Sequence, residues 1–458
     1  MSSSAAQTAN FDTIAAIATG SSLAAIGIIR LSGPEAIAVL DRVFVPAHGG
    51  SMAGREDRKL VYGRLLDRGG ETLDLCLATV SRGPASYTGE DTAELQCHGS
   101  PTVLREGLLS LFAAGARQAK AGEFTRRAFL NGRMDLVQAE AVIDLIDAQT
   151  PQAARLAASQ LGGAVSRRTE AVYDSLTAIC SHYHAVLDYP DEDIEPFELE
   201  DYRRTLREGE QALTALLATW RRGALVKNGA AAAIVGRVNV GKSSLLNALV
   251  GYERAIVTDH AGTTRDTLEE RTVLGGVLLR LTDTAGQRET DDPVERIGVE
   301  RARSAAQRAE LVIAVLDGSA PLEAGDRAIL DEAAAAERSI VLLNKSDLPA
   351  AFELPGALRI SARTGEGLDA LEARVAELFP PEKGVSAGEV LTSARQADAV
   401  SRALDYLRET LAAMDGGFAP DAVLTELEGA LGALGELSGR SVREDVTNGI
   451  FARFCVGK

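Results

Sequence analysis

Residues Gly236–Ser243 read Gly-Arg-Val-Asn-Val-Gly-Lys-Ser, a G-x-x-x-x-G-K-[ST] spacing. Such a loop turns main-chain N–H groups inward around phosphate oxygens, and the helix behind it adds a partial positive charge. Lys242 would reach the β- and γ-phosphates, and Ser243 would bind Mg²⁺. Asp283-Thr-Ala-Gly286 ends an apolar run. Its Asp can hold Mg²⁺ through water, and the Gly286 N–H can serve the γ-phosphate. Thr263 and Thr264 lie in Gly262-Thr-Thr-Arg-Asp266. A Thr hydroxyl there, assigned to Thr264, completes the Mg²⁺ shell only when the γ-phosphate is present, which makes a switch. In Asn344-Lys345-Ser346-Asp347 the Asp can pair with the N1–H and N2–H₂ of guanine, which adenine lacks, and Ser361-Ala362 can offer an N–H to guanine O6. Each short motif is weak alone. All of them, in this order, predict GTP binding with hydrolysis.

The expected nucleotide-contacting set follows the motifs. The phosphate loop gives Asn239, Val240, Gly241, Lys242, Ser243 and Ser244. The switch stretch gives Thr258, Asp259, His260, Ala261, Gly262, Thr263 and Thr264. Asp283, Thr284, Ala285 and Gly286 come next, and then Asn344, Lys345, Asp347, Ser361, Ala362 and Arg363. Asn239 sits mid-loop, where a neutral side-chain oxygen could help coordinate a monovalent cation together with carbonyls of residues 258–263. The plainer reading is a loop Asn bonding its own backbone. Two residues could orient the attacking water: Gln287, directly after Gly286, and Glu295, which begins a helix in Pro293-Val-Glu-Arg296.

These residues must be held by regular elements. Ala231–Val235, Leu268–Leu274, Val277–Asp283, Leu311–Leu316, Ile340–Leu343 and Leu358–Ile360 read as strands separated by helical patterns. Gly275-Gly276 joins the second and third as a hairpin. A mostly parallel sheet with one antiparallel edge follows. Before it, residues 11–130 alternate short strands with Gly-rich turns and one helix after Pro101, an α+β unit. Met134 to Trp220, Ala387 to Met414 and Asp421 to Leu437 carry helical spacing, broken at Gly162-Gly163 and at the acidic run 188–193, and predict one all-α bundle. The fold class is therefore multidomain, with domains at 1–130, 131–228, 229–382 and 383–458. The third is an α/β P-loop domain inserted into the bundle.

Bulk properties narrow the function. A net charge of −17 and a sequence pI near 4.9 argue against a broad nonspecific nucleic-acid surface. No apolar run approaches the ~18 residues of a membrane helix, and the first basic residue is Arg30. A cytoplasmic, membrane-free protein is expected. The four cysteines, Cys76, Cys97, Cys180 and Cys455, show no C-x-x-C spacing, so neither a disulfide framework nor a zinc site is expected.

The chain resembles the MnmE (TrmE) family of tRNA-modification GTPases. The matching pieces are Gly27-Ile-Ile-Arg30, Tyr87-Thr-Gly-Glu-Asp91, Glu94-Leu-Gln96, Gly122-Glu-Phe-Thr125, Arg127-Ala-Phe-Leu-Asn131, the GTPase motifs above and the tail Cys455-Val-Gly-Lys458. The resemblance implies an N-terminal tetrahydrofolate-binding domain, a helical domain and an inserted GTPase domain. It implies a homodimer, and a heterotetramer with the flavoprotein MnmG (GidA) that adds an aminomethyl or carboxymethylaminomethyl group at C5 of the tRNA wobble uridine. The one-carbon donor would be a folate, 5-formyl- or 5,10-methylene-tetrahydrofolate. By position, Arg30, Glu94, Arg133 and Lys458 match the folate residues, and Asn239, Thr258, His260 (through its carbonyl) and Thr263 match potassium ligands. Glu295 matches the water-orienting glutamate, and Cys455 the cysteine implicated in the modification. Arg133 stands where Lys is usual, Ala121 and Val238 replace prolines, and Gln287 replaces an apolar residue. The competing expectations are a GTP-controlled ribosome-assembly switch and a folate enzyme with a regulatory GTPase attached.

Overall fold

The computed structural model describes residues 12–20, 22–189, 199–253, 269–283, 309–380, 388–441, 444–452 and 454–457. Its chain divides into two compact units: residues 1–143, 161–209 and 402–458, and residues 144–160 and 210–401.

The first unit holds a seven-stranded sheet in the order β3-β4-β5-β6-β2-β1-β7. The strands are β1 (Ile14–Ile17), β2 (Ile26–Ser32), β3 (Phe44–Pro46), β4 (Val61–Leu66), β5 (Thr72–Ser81), β6 (Thr92–His98) and β7 (Arg117–Gln118). Only β1 and β7 run parallel. Helices α1 (Ala36–Val43) and α2 (Pro101–Ala113) join the sheet in one apolar core containing Leu31, Leu40, Leu95 and Leu111. Strand alternation sends Ala93, Leu95 and Cys97 into that core and leaves Glu94 and Gln96 half-buried on the other face. Arg30 follows the same rule on β2 and is the register partner of Glu94.

Helices α3 (Glu123–Leu130), α4 (Leu136–Ile146), α5 (Pro151–Leu161), α6 (Ala164–Asp188) and α7 (Leu199–Leu217) come next. The expected continuous helical stretch is divided between α4 and α5, where Thr150 caps the N–H of Ala153 through its hydroxyl at 3.1 Å and Pro151 takes the first helical position.

The second unit is built on a six-stranded sheet, order β13-β12-β11-β8-β10-β9. Following helix α8 (Trp220–Asn228), the chain gives β8 (Ala230–Val235), helix α9 (Lys242–Glu253), β9 (Glu269–Leu274), β10 (Val277–Asp283) and β11 (Leu311–Asp317). Then come α10 (Ala324–Ala335), β12 (Ser339–Asn344), β13 (Leu358–Arg359) and α11 (Leu368–Leu378). All pairings are parallel except β9–β10. The β9–β10 turn is Gly275-Gly276 with φ of +61° and +76°, the left-handed pair that a two-residue hairpin requires. β8 lies mid-sheet between β10 and β11 and is buried along nearly its whole length, so it reads as a continuous apolar run.

Three helices close the chain: α12 (Ala394–Asp415), α13 (Pro420–Ser438) and α14 (Glu444–Phe451). The first begins later than its helical pattern predicts, because residues 388–393 are not helical. α13 packs along α6 within the first unit. Among the described residues, no helix is long and apolar enough to cross a membrane.

Candidate functional site

The phosphate loop runs from the end of β8 to the start of α9. Its shape depends on two left-handed residues, Asn239 at φ +63° and Gly241 at φ +101°. Gly241 also has no room for a side chain: a Cβ there would lie 2.1 Å from Asn344 Nδ2. Lys242 is 9% exposed and its Nζ donates to the carbonyls of Gly236 (2.8 Å) and Arg237 (2.6 Å), so the amine folds over the loop's own main chain. Ser243 and Ser244 are exposed in the first turn of α9. Val240 is buried in the core of this unit and anchors the loop from below.

Asn344 ends β12 and is 3% exposed. Its Nδ2 donates to the Val240 carbonyl at 2.8 Å, and its Oδ1 accepts from the Ala362 N–H at 2.9 Å. One side chain thus joins the phosphate loop to the Ser361-Ala362 turn. The Ser361 hydroxyl donates to Asp347 Oδ1 at 2.7 Å, and Arg363 reaches Oδ2 at 3.1 Å. The Ser361 hydroxyl foremost, and the Arg363 charge after it, hold the Asp347 carboxyl below the ordinary carboxylate range. An ionised carboxylate is an acceptor only, which suits a base edge presenting two N–H donors.

Asp317, Glu323 and Asp326 brace this framework and carry no motif signature. Lys345, left-handed at φ +69°, donates to Asp317 Oδ2 at 2.5 Å. Burial pushes the Asp317 carboxyl up, but Lys345 and the Ser319 donors outweigh it and leave it low. Arg237 of the phosphate loop pairs with Glu323 (2.7 Å) and Asp326 (3.2 Å), which together form the capping box of α10. The Glu-x-x-Asp spacing at 323–326 was a signal for the helix start, but not for its meeting with Arg237.

Asn239 is exposed, and among the described residues its side chain has no hydrogen-bond partner. Its left-handed backbone is one reason for an Asn. Its side-chain amide is left uncommitted. Residues 258–264, 284–287 and 295 lie outside the described residues, as does Lys458. The switch threonines, Gln287 and Glu295 are therefore not placed, and for Asp283 only the backbone at the end of β10 is described.

The first unit holds a second cluster. Arg30 Nε donates to Glu94 Oε1 at 2.8 Å, with the two side chains about a quarter exposed (21% and 27%). The guanidinium lies 5.7 Å from the Tyr87 ring centroid and 5.9 Å from that of Phe124. Tyr87 bonds Thr125 through its hydroxyl at 2.9 Å, and burial pushes its ionisation up. Arg133 is exposed, and its side chain lies beside Gly89, two residues after Tyr87. The guanidinium thus lies among its Glu94 partner and two rings, of which Phe124 is fully buried and Tyr87 partly exposed.

Arg117, Glu123 and Arg127 form a structural ion network. Arg127 is 1% exposed and meets Glu90 (3.1 Å), Glu123 (3.1 Å) and Asp12 (3.2 Å). Arg117 binds Glu123 at 2.6 Å and Asp12 at 2.5 Å. Burial pushes the Glu123 carboxyl up, yet Arg117, the Lys120 N–H and Arg127 overcome it and hold it at about 2. The tail docks beside this network. Val456 bridges Ala121, Phe451 and Phe454 are buried, and Cys455 is exposed with its carbonyl accepting from Gly122 N–H at 3.4 Å.

A family model described as the MnmE helical domain matches residues 136–455, and one described as the GTP-binding protein TrmE N-terminus matches residues 13–133. A tRNA modification GTPase MnmE of Roseiflexus sp. is 45% identical over 464 residues, covering 98% of this chain and 99% of that protein. One of Thermus thermophilus is 46% identical over 453 residues, covering 98% and 99%. Among solved structures, Aquifex aeolicus Era bound to GDP and aluminium fluoride is 25% identical, covering 39% of this chain and 66% of that one, at a TM-score of 0.27, too low to add to the fold described above. Both terminal regions and the length between them thus agree, and the chain belongs to the MnmE (TrmE) family of tRNA modification GTPases.

Proposed function

We propose that this chain hydrolyses GTP with the aid of a bound potassium ion and couples that hydrolysis to wobble-uridine modification. The reading is a homodimer that works with the flavoprotein MnmG, takes a one-carbon unit from a tetrahydrofolate and builds an aminomethyl or carboxymethylaminomethyl group at C5 of the uridine. The observation that carries it is the presence in one chain of two distinct sites. One is a phosphate loop braced through Asn344 against an ionised Asp347. The other is an arginine–carboxylate pair faced by two rings.

Each residue has a task in this reading. Lys242 and the loop N–H groups hold the phosphates, and Ser243 with Thr264 holds Mg²⁺. Asn239, with Thr258, His260 and Thr263, would hold potassium, which supplies positive charge where negative charge grows as the γ-phosphate leaves. Glu295 orients the attacking water, and Gln287 is its rival. Arg30 and Glu94 hold the folate ring, with Arg133 and Lys458 near its charged end, and Cys455 serves the modification chemistry.

Hydrolysis in potassium should exceed that in sodium by about a hundredfold, and Asn239→Ala should remove the difference. Equal rates in the two salts remove the cation from the reading. Single-turnover hydrolysis should collapse in Glu295→Ala and survive in Gln287→Ala; the reverse result transfers the role to Gln287. Nucleoside analysis of tRNA from a deletion strain tests the biological half. Retained wobble modification, with ribosomal precursors accumulating instead, makes the protein an assembly switch.

A further inference from the structure

We infer that Cys180, His184 and Glu428 form a binding site for a divalent transition-metal ion, with zinc the metal their chemistry favours. Cys180 and His184 stand four residues apart on α6, so both project from one face of that helix. Glu428 comes from α13, which packs along α6. His184 Nε2 and Glu428 Oε1 are 3.0 Å apart. One donor atom from each of the three residues lies within 4.8 Å of the other two. Zinc bonds of about 2.0–2.3 Å at tetrahedral angles separate donors by about 3.3–3.6 Å. The nitrogen and oxygen are slightly closer than that and need to part by a few tenths of an ångström, and the sulfur needs to approach by no more than about 1.5 Å. His184 and Glu428 are about half exposed (47% and 54%) and can make that adjustment.

The donors decide the metal. A thiolate, an imidazole and a carboxylate suit zinc, whereas Mg²⁺ takes oxygen donors only. The site is thus chemically distinct from the magnesium position at the nucleotide. On binding, the thiol proton goes to solvent, the imidazole carries its proton on Nδ1, and Nε2 gives its lone pair to the ion. Cys180, 6% exposed, forms the floor, and the two exposed residues form the mouth. Three protein donors leave a fourth position for water. The ion would clip α6 to α13. The other thiol cluster, Asp74, Cys76 and Cys97, is less suited. Its carboxylate already accepts from the Leu75 N–H (2.8 Å), the His98 N–H (2.9 Å) and the His98 ring (2.8 Å). The sequence expectation of no zinc site rested on cysteine spacing, and the third ligand here is 244 residues from the second.

Cobalt titration of the full magnesium-loaded chain tests the site. One equivalent should give thiolate-to-cobalt charge-transfer absorption, displaced by zinc. Cys180→Ser should abolish it, and Cys76→Ser and Cys455→Ser should keep it. His184→Gln and Glu428→Gln, at exposed positions that leave the fold intact, should each weaken cobalt binding at least about tenfold. Absence of the band in wild type overturns the assignment. So does a band that survives in Cys180→Ser, or one whose affinity is unchanged in both exposed variants.

Discussion

Asn344 is the residue through which the base-side turn and the phosphate loop share one geometry. Replacing it with alanine leaves the Val240 carbonyl and the Ala362 N–H without their partner. Asn344→Ala should therefore cost about 1–3 kcal/mol of stability in its unit, read from denaturant unfolding, and weaken guanine nucleotides as well. Asp347→Asn should leave stability nearly unchanged, because the side chain is only half-buried. It should raise the GTP dissociation constant about tenfold to a hundredfold, since charge-assisted bonds to the base are lost. Equilibrium dialysis of both variants separates the two roles. The motif around Asn344 predicts a guanine-reading carboxylate from spacing alone. It did not announce the bond to Val240, because the two residues lie 104 positions apart. The pairing of Arg30 with Glu94 was hidden for the same reason: each alone reads as a solvated strand position, and only the β2–β6 register sets them opposite each other.

At the level of elements, legibility followed periodicity. Every strand of the six-stranded sheet was readable, because β8 and β11 are near-continuous apolar runs and β9–β10 is joined by Gly275-Gly276. Strand β1 was not, since Ile-Ala-Ala-Ile is short, rich in Ala and without alternation. It is a strand only because β2 and β7 flank it. Helix α8 shows how tightly such elements are seated. A Cβ on Gly223 would lie 1.9 Å from the Leu391 carbonyl oxygen, a main-chain atom with nowhere to move. Gly223→Ala should destabilise the second unit by about 1–3 kcal/mol despite its better helix propensity. A rise in melting temperature would show that α8 can slide away from that carbonyl.

Across the whole molecule, acid should reach the first unit through its buried ion network. Glu123 falls from an ordinary 4.5 to about 2 on folding, and Asp12 is lowered too, by Arg117 foremost. A carboxyl depressed by folding stabilises above its unfolded value, and that stability is lost as pH falls through the folded one. The midpoint of the first unit should thus decline between pH 5 and about 2, and Glu123→Gln should flatten that decline. Phe454→Ala should cost this unit about 3 kcal/mol, because the ring is 4% exposed against Phe451. The tail around it has a bearing on biosynthesis. Val456 bridges Ala121, and Gly457 packs so closely on Ile17 that a Cβ would lie 2.3 Å from its carbonyl oxygen. A nascent chain emerging from the ribosome therefore threads out its opening strand long before the segment that seals it, and must shelter an unfinished first unit until the nucleotide-binding portion has been synthesised in full.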